Sequence, residues 1–291
     1  MAQHRQNRTW GRFKRDRMAI LGAVTLGMFV LAVLLGPLVY RVSYSDIDFA
    51  RSLASPSWQH PLGTNDLGQD QLARLLWGGR ISVAVGVTAM LVSITFGTLI
   101  GMVAGFCGGV IDNILMRLTD LFLSLPQLPL MLLILYLFRD AMRQVAGPEL
   151  GIFLLIILVV GGLSWMPTAR LVRAGFLAVK QRDFVQAAKS LGARPGRIVW
   201  WHILPNVIGP VIVAATLGVG NAIITESTLS FLGIGFPPDV PTWGRMLSDA
   251  QNYTASAPHL VIFPGLAIFL TVLSVNYVGD GLRDALDVRS R

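Results

Sequence analysis

Side chains able to do covalent chemistry are few and dispersed along this 291-residue sequence. The four histidines, His4, His60, His202 and His259, fall in a tail, in loops and at the ends of apolar runs, a spread that matches no metal-ligand spacing. Cys107 is alone beside Gly108 and Gly109, so no disulfide can close within the chain, and a small packing residue is the simpler reading. A phosphate-gripping loop requires Gly-Lys-Ser/Thr. Of Lys14, Lys180 and Lys189, only Lys189 precedes a serine, and Ala188 stands before it. The sequence therefore predicts no enzyme, no metal site and no cofactor. One polar stretch remains, "DFVQAAKSLGARPGRIVWWHILPN" from Asp183, and its pattern suits mechanical work: a short, closely specified rod.

Asp183 with Gln186 three residues later has the form of a capping box, so a helix is expected to start at Asp183. Ala187 and Ala188 extend it with strong helix formers of little bulk. Gly192 supplies the left-handed stop, and Pro195 opens a second helix expected to run to Pro205. Ordering such a unit costs conformational entropy that a plain connector avoids. The alanines leave a face smooth enough for a partner's groove, with Arg182, Lys189 and Arg194 at the rim. An ordinary amphipathic surface loop is the alternative.

The elements that must position this rod are membrane spans. Hydrophobic residues make up 53% of the chain and charged ones 14%, against roughly 25% charged in soluble domains. Six apolar runs approach the about 20 residues that a bilayer core requires: Met18 to Tyr40, Ile81 to Phe106, Leu118 to Phe138, Leu150 to Met166, Val207 to Thr225 and Leu260 to Val278. The runs lack the alternation of a membrane barrel, so the expected class is an all-α polytopic membrane protein with six transmembrane helices. The first run is longer than a secretory signal core and is read as a retained anchor. With the N-terminus inside, 17 of the 24 Lys and Arg fall on the cytoplasmic side, which places both termini there. The net charge of +8 follows from this bias and from attraction to anionic lipid, not from nucleic-acid binding. Expected units are a basic tail and anchor at 1–45, an outer loop at 46–79, a five-helix core at 80–280 with the rod-bearing loop at 170–205, and a tail at 281–291.

Three smaller features bear on the spans. Trp10 and Phe13 among basic residues suit a short helix on the inner membrane face. Pro126 and Pro129 each remove a helical hydrogen bond, so the third span should be kinked or opened there, for shape or as part of a solute path. Asp120 and Glu226 are the membrane-embedded acids, and neither has the company of a proton relay. No internal repeat is visible, which argues against a carrier built from two homologous halves.

The stretch "QAAKSLGARPGRIVWWHILPN" resembles the EAA motif of ABC-importer membrane subunits. With "HPLGTNDLGQDQLARLLWGGRISV", "ARLVRAGFLAVKQRDFVQAA", "ESTLSFLGIGFPPDVPTWGRML" and "FPGLAIFLTVLSVNYVGDGLRDALD", nearly the whole chain is similar to C-type permeases of the peptide and nickel group. The resemblance implies a type I ABC-importer transmembrane domain in the bacterial inner membrane. Its partners would be a second homologous permease, two ABC ATPase subunits, an extracytoplasmic substrate-binding protein and the lipid bilayer, with no nucleic acid. It further implies that the helix from Asp183 is the coupling helix seated on an ATPase, with Gln186, Ala187, Ala188 and Gly192 as matching positions and Asp183 and Lys189 beside them. Gln186 stands where the pattern has Glu, and Asn65 and Gln69 stand for an expected Asp and Arg. Peptides are the first expectation for the solute; nickel chelates, glutathione and other small nutrients are alternatives, and an ion-driven carrier is the competing class.

Overall fold

The computed structural model describes residues 11 and 13–286. Trp10 and the basic residues Arg289 and Arg291 lie outside this range, so only Phe13 of the tail pair is described; it is buried against Ala19 and Ala285. Apart from an isolated antiparallel bridge between Thr64 and Asp70, the regular structure among the described residues is helical. The main elements are α1 (Arg17–Val39), α2 (Gln71–Cys107), α3 (Gly109–Ser124), α4 (Gln127–Ala146), α5 (Pro148–Gly162), α6 (Met166–Lys180), α7 (Asp183–Ser190), α8 (Pro195–Phe231), α9 (Trp243–Ala250) and α10 (His259–Leu286).

Four of these, α1, α2, α8 and α10, are each long and apolar enough to cross a membrane. The third span is broken: α3 and α4 meet at 87°, with Pro126 as the N-cap of α4 and Pro129 in its first turn, where missing amides have no intrahelical acceptor to lose. The fourth span is bent by 43° between α5 and α6. Counting each bent pair once gives the six expected spans.

Two boundaries differ from the sequence reading. Helix α2 begins at Gln71 rather than Ile81, capped by Asp70, whose Oδ1 accepts from the Ala73 amide at 2.8 Å. Its 37 residues extend about 55 Å, well past a hydrocarbon core of about 30 Å. The added turns carry Arg74 and Arg80, which apolarity alone would exclude. Both are paired: Arg74 donates to Gln69 and Asp249, and Arg80 donates to the carbonyls of Val33 and Leu34 at the end of α1. At the other end of the chain, α10 continues as helix to Leu286, into the segment expected to be tail.

The bundle is held by close backbone approach. Gly97, Gly101 and Gly105 on α2 face the Trp165, Ala169 and Arg173 carbonyls around α6, and a Cβ on Gly101 would lie 2.4 Å from the Ala169 oxygen. Small residues allow such contact where lipid gives no hydrophobic drive for helices to associate. Two ion pairs join α3 to α6, Arg173 to Asp112 and Arg170 to Asp120, so Asp120 is a structural partner of α6. Glu226 is fully buried on α8, where Ser82 and Ser230 donate to it at 3.1 and 2.8 Å. The apolar core fills the space among α2, α4, α5 and α8, with Val85, Leu135, Ile156 and Leu229 fully enclosed.

The loop before α2 is ordered by buried polar contacts. Asn65 Nδ2 donates to Gln69 Oε1 at 2.8 Å, and the Gln69 amide donates back to Asn65 Oδ1 at 2.8 Å. Both residues are buried, so they act as an internal brace for this turn. Asp249 on α9 lies between Arg74 and Arg245. Burial pushes its carboxyl above the usual carboxylate range, and the Arg245 and Arg74 charges oppose that rise.

Candidate functional site

The rod of the opening stretch forms as helix α7, from Asp183 to Ser190. Its start differs from the expected capping box. The N-cap is Arg182, in extended conformation and without a side-chain cap, and Asp183 is the first helical residue. The acidic Asp183 still complements the positive end of the helix dipole. Gln186 does not reach back to an amide: its Nε2 donates at 2.9 Å to the carbonyl of Lys180, the last residue of α6. That carbonyl is an orphan acceptor at a helix end, which a carboxylate could not satisfy. The amide at position 186 therefore ties α7 to α6.

The end of α7 matches expectation. Gly192 has φ +77°, with its amide bonded to the Lys189 carbonyl and the Ala193 amide to the Ala188 carbonyl, the paired bonds of a Schellman stop. Val185 is the buried residue of α7, inserted among Val172 and Phe176 of α6 and Ile198, Ile203 and Val207 of α8. Around the helix from it, Phe184, Ala187, Ala188 and Leu191 follow the i, i+3, i+4, i+7 rule and share a face. Ala188 is half-buried and the others are exposed, Phe184 at 46% and Leu191 at 88%. Sequence reasoning found the alanines and missed the large apolar residues flanking them, although the spacing was present to be read. Lys189 is exposed, on the far side of Val185 from this face.

The second helix of the loop does not stop at Pro205. Residues Ile198–Ile203 form a π-helical turn, and α8 then continues to Phe231. A proline crowds the carbonyl four residues before it, here that of Trp201, which lies inside the wider π turn. The loop and the fifth span are thus one continuous helical run.

Farther along α8 lies a cavity of about 610 Å³ between α2, the start of α4, the α5–α6 bend and α8. Its polar lining is Ser93, Gln127, Ser164, Thr168, Asn221 and Thr225, and no charged side chain lines it. The Ser164 hydroxyl, in the bend, donates to the Val160 carbonyl of α5, the Thr225 hydroxyl donates to the Asn221 carbonyl of its own helix, and Ser93 is buried without a hydrogen-bond partner. Neither Pro126 nor Pro129 lines this cavity; both are exposed. Gln127, one of the two residues between them, does line it, and donates to the Leu163 carbonyl at 3.3 Å. The arrangement offers a neutral, hydrogen-bonding interior at mid-span, and no metal-ligand cluster exists among the described residues.

A helical bundle with up to six crossings, a polar cavity walled by α2, α4, α5, α6 and α8, and an ordered rod between two of its spans has the parts of a membrane transport subunit. The chain belongs to the family of binding-protein-dependent transport system inner membrane components, which matches residues 97–291, and residues 7–56 match the N-terminal TM domain of oligopeptide transport permease C. The dipeptide transport system permease protein DppC of Alkalihalophilus pseudofirmus is 38% identical over 278 residues, covering 96% of this chain and 88% of its own. The glutathione transport system permease protein GsiD of Pectobacterium atrosepticum is 38% identical over 285 residues, with 96% and 89% coverage. The oligopeptide transport system permease protein OppC of Haemophilus influenzae is 36% identical over 282 residues, with 96% and 87% coverage. In fold, the chain matches a solved chain of the MetNI methionine ABC transporter in inward-facing conformation. The TM-score is 0.57 at 19% identity, covering 73% of this chain and 96% of that one.

Proposed function

We propose that this chain is one of two permease subunits of an ATP-driven importer of short peptides in the bacterial inner membrane. It would share a solute path with a second homologous permease, take solute from an extracytoplasmic binding protein and receive force from two ABC ATPases through α7. The observation that carries this reading is the continuity of α8. The rod is pinned at Val185 to the beginning of α8, and the same helical run lines the polar cavity with Asn221 and Thr225. A displacement of α7 is therefore delivered to the wall of the cavity through packed side chains.

The face formed by Phe184, Ala187, Ala188 and Leu191 supplies what a groove on an ATPase requires, apolar anchors around two small residues, with Asp183 at its margin and Lys189 exposed beyond Val185. Gln186 and Gly192 fix the two ends of the rod. Pro126 and Pro129 act in the path indirectly, by breaking the third span so that Gln127 faces the cavity. Seven of the Lys and Arg that favour an inward placement sit in the loop bearing α7, which supports cytoplasmic termini. A neutral lining suits zwitterionic peptides, whose amides hydrogen-bond to Asn, Gln, Ser and Thr whatever their side-chain charge. The named relatives transport dipeptides, oligopeptides and glutathione, itself a small peptide, which favours that solute class.

The test is reconstitution of the chain with its second permease, ATPases and binding protein in proteoliposomes. ATP-dependent accumulation of dipeptide by the complete set, and none by the chain alone, is the expected result. Gradient-driven uptake by the chain alone would overturn the reading in favour of an autonomous carrier.

A further inference from the structure

Two cavities meet at one side chain. On the other side of the α2–α8 crossing from the polar cavity lies a second space of about 320 Å³, walled by α1, α2, α8 and α10. Its lining is apolar except for Thr216 and Thr271. The Thr216 hydroxyl donates to the Ile212 carbonyl, whereas Thr271 is 2% exposed and its hydroxyl has no partner. Met90 is the one residue common to both linings. It rests on Gly218, where any Cβ would come within 2.1 Å of the Met90 sulfur, so Gly218 provides the room that Met90 occupies.

We propose that Met90 is a movable partition and that the apolar space is a side chamber for the bulky apolar or aromatic side chain of a peptide held in the polar cavity. This rests on the peptide-importer reading above. Methionine is unbranched, with several rotatable bonds and a polarisable sulfur, so it repacks around varied apolar shapes at little cost. Turning it away from Gly218 joins the two spaces. The peptide backbone then keeps its hydrogen bonds in the polar cavity while a large side chain leaves it for apolar surroundings. A lipid chain entering past Val87 and Leu91, the exposed part of the rim, is the competing occupant. The shared wall at Met90 favours the peptide side chain, because a residue held in the polar cavity reaches the chamber without leaving the protein.

The test compares uptake of Ala-Ala and Ala-Phe by the complete importer in proteoliposomes, with one binding protein and saturating peptide throughout. Ala215 lines the chamber and not the polar cavity, so Ala215→Phe fills the chamber from α8. The expected result is a fall of about tenfold in the Ala-Phe to Ala-Ala uptake ratio. Met90→Leu, similar in volume but stiffer, should lower the ratio, and Met90→Ala should raise it. Opposite responses of the two Met90 variants cannot arise from misfolding. An unchanged ratio in Ala215→Phe overturns the chamber, and so does a lipid found by native mass spectrometry in the wild type and lost in that variant without a change in ratio. Failure of the wild type to import either dipeptide refutes the peptide reading itself, a separate outcome.

Discussion

The sharpest test of force entry lies at Gly192, whose φ of +77° belongs to the left-handed region. An added Cβ would meet nothing within 4 Å, so a substitution there acts through backbone conformation alone. A residue with a Cβ loses about 1–2 kcal/mol in this conformation, and a β-branched one is the least tolerant. That penalty changes the population of the closed stop by a factor of about 5–30. Opening it releases the Ala188 and Lys189 carbonyls and lets the end of α7 fray, while Val185 still holds its middle. Gly192→Val should therefore insert in the membrane and assemble normally, yet lose about fivefold or more of the transport obtained per ATP hydrolysed. Gly192→Asn should recover most of it, because asparagine adopts the left-handed conformation readily. The assay is paired measurement of peptide uptake and phosphate release by the reconstituted importer. Wild-type coupling in Gly192→Val, or equal defects in the Val and Asn variants, would refute the argument.

Three further outcomes follow from the geometry. Replacing Phe184 and Leu191 together by Ala should leave the melting temperature of the purified chain unchanged and weaken ATPase copurification at least about tenfold, since buried apolar anchors dominate such interfaces. Glu226→Ala strips the Ser82 and Ser230 hydroxyls of their acceptor, and should cost about 2 kcal/mol, seen as a lower melting temperature in detergent; Glu226→Gln, which keeps an acceptor oxygen, should lose less. Gly101→Val must force α2 from the Ala169 carbonyl and the Val172 side chain, and should destabilise the fold by at least about 2 kcal/mol, measured by the yield of monodisperse protein.

Much of the architecture was legible because it obeys rules that act over a few residues. Apolar length marked the six crossings, the missing amides of Pro126 and Pro129 marked the break in the third, and Gly192 marked the end of the rod, since only a left-handed residue closes that turn. What escaped depends on partners far along the chain. Helix α2 extends to Gln71 because Asp249 and the carbonyls of Val33 and Leu34 receive its arginines. Gln186 serves α6 rather than its own helix start because the Lys180 carbonyl lies within reach. The rod from Asp183 to its stop at Gly192 was thus determined by the sequence itself, through helix propensity and the left-handed glycine, although its start is not the capping box. The polar cavity, the apolar chamber beyond Met90 and the bond of rod to α8 through Val185 were decided by tertiary structure, because each is a space or contact between helices that no local interaction specifies.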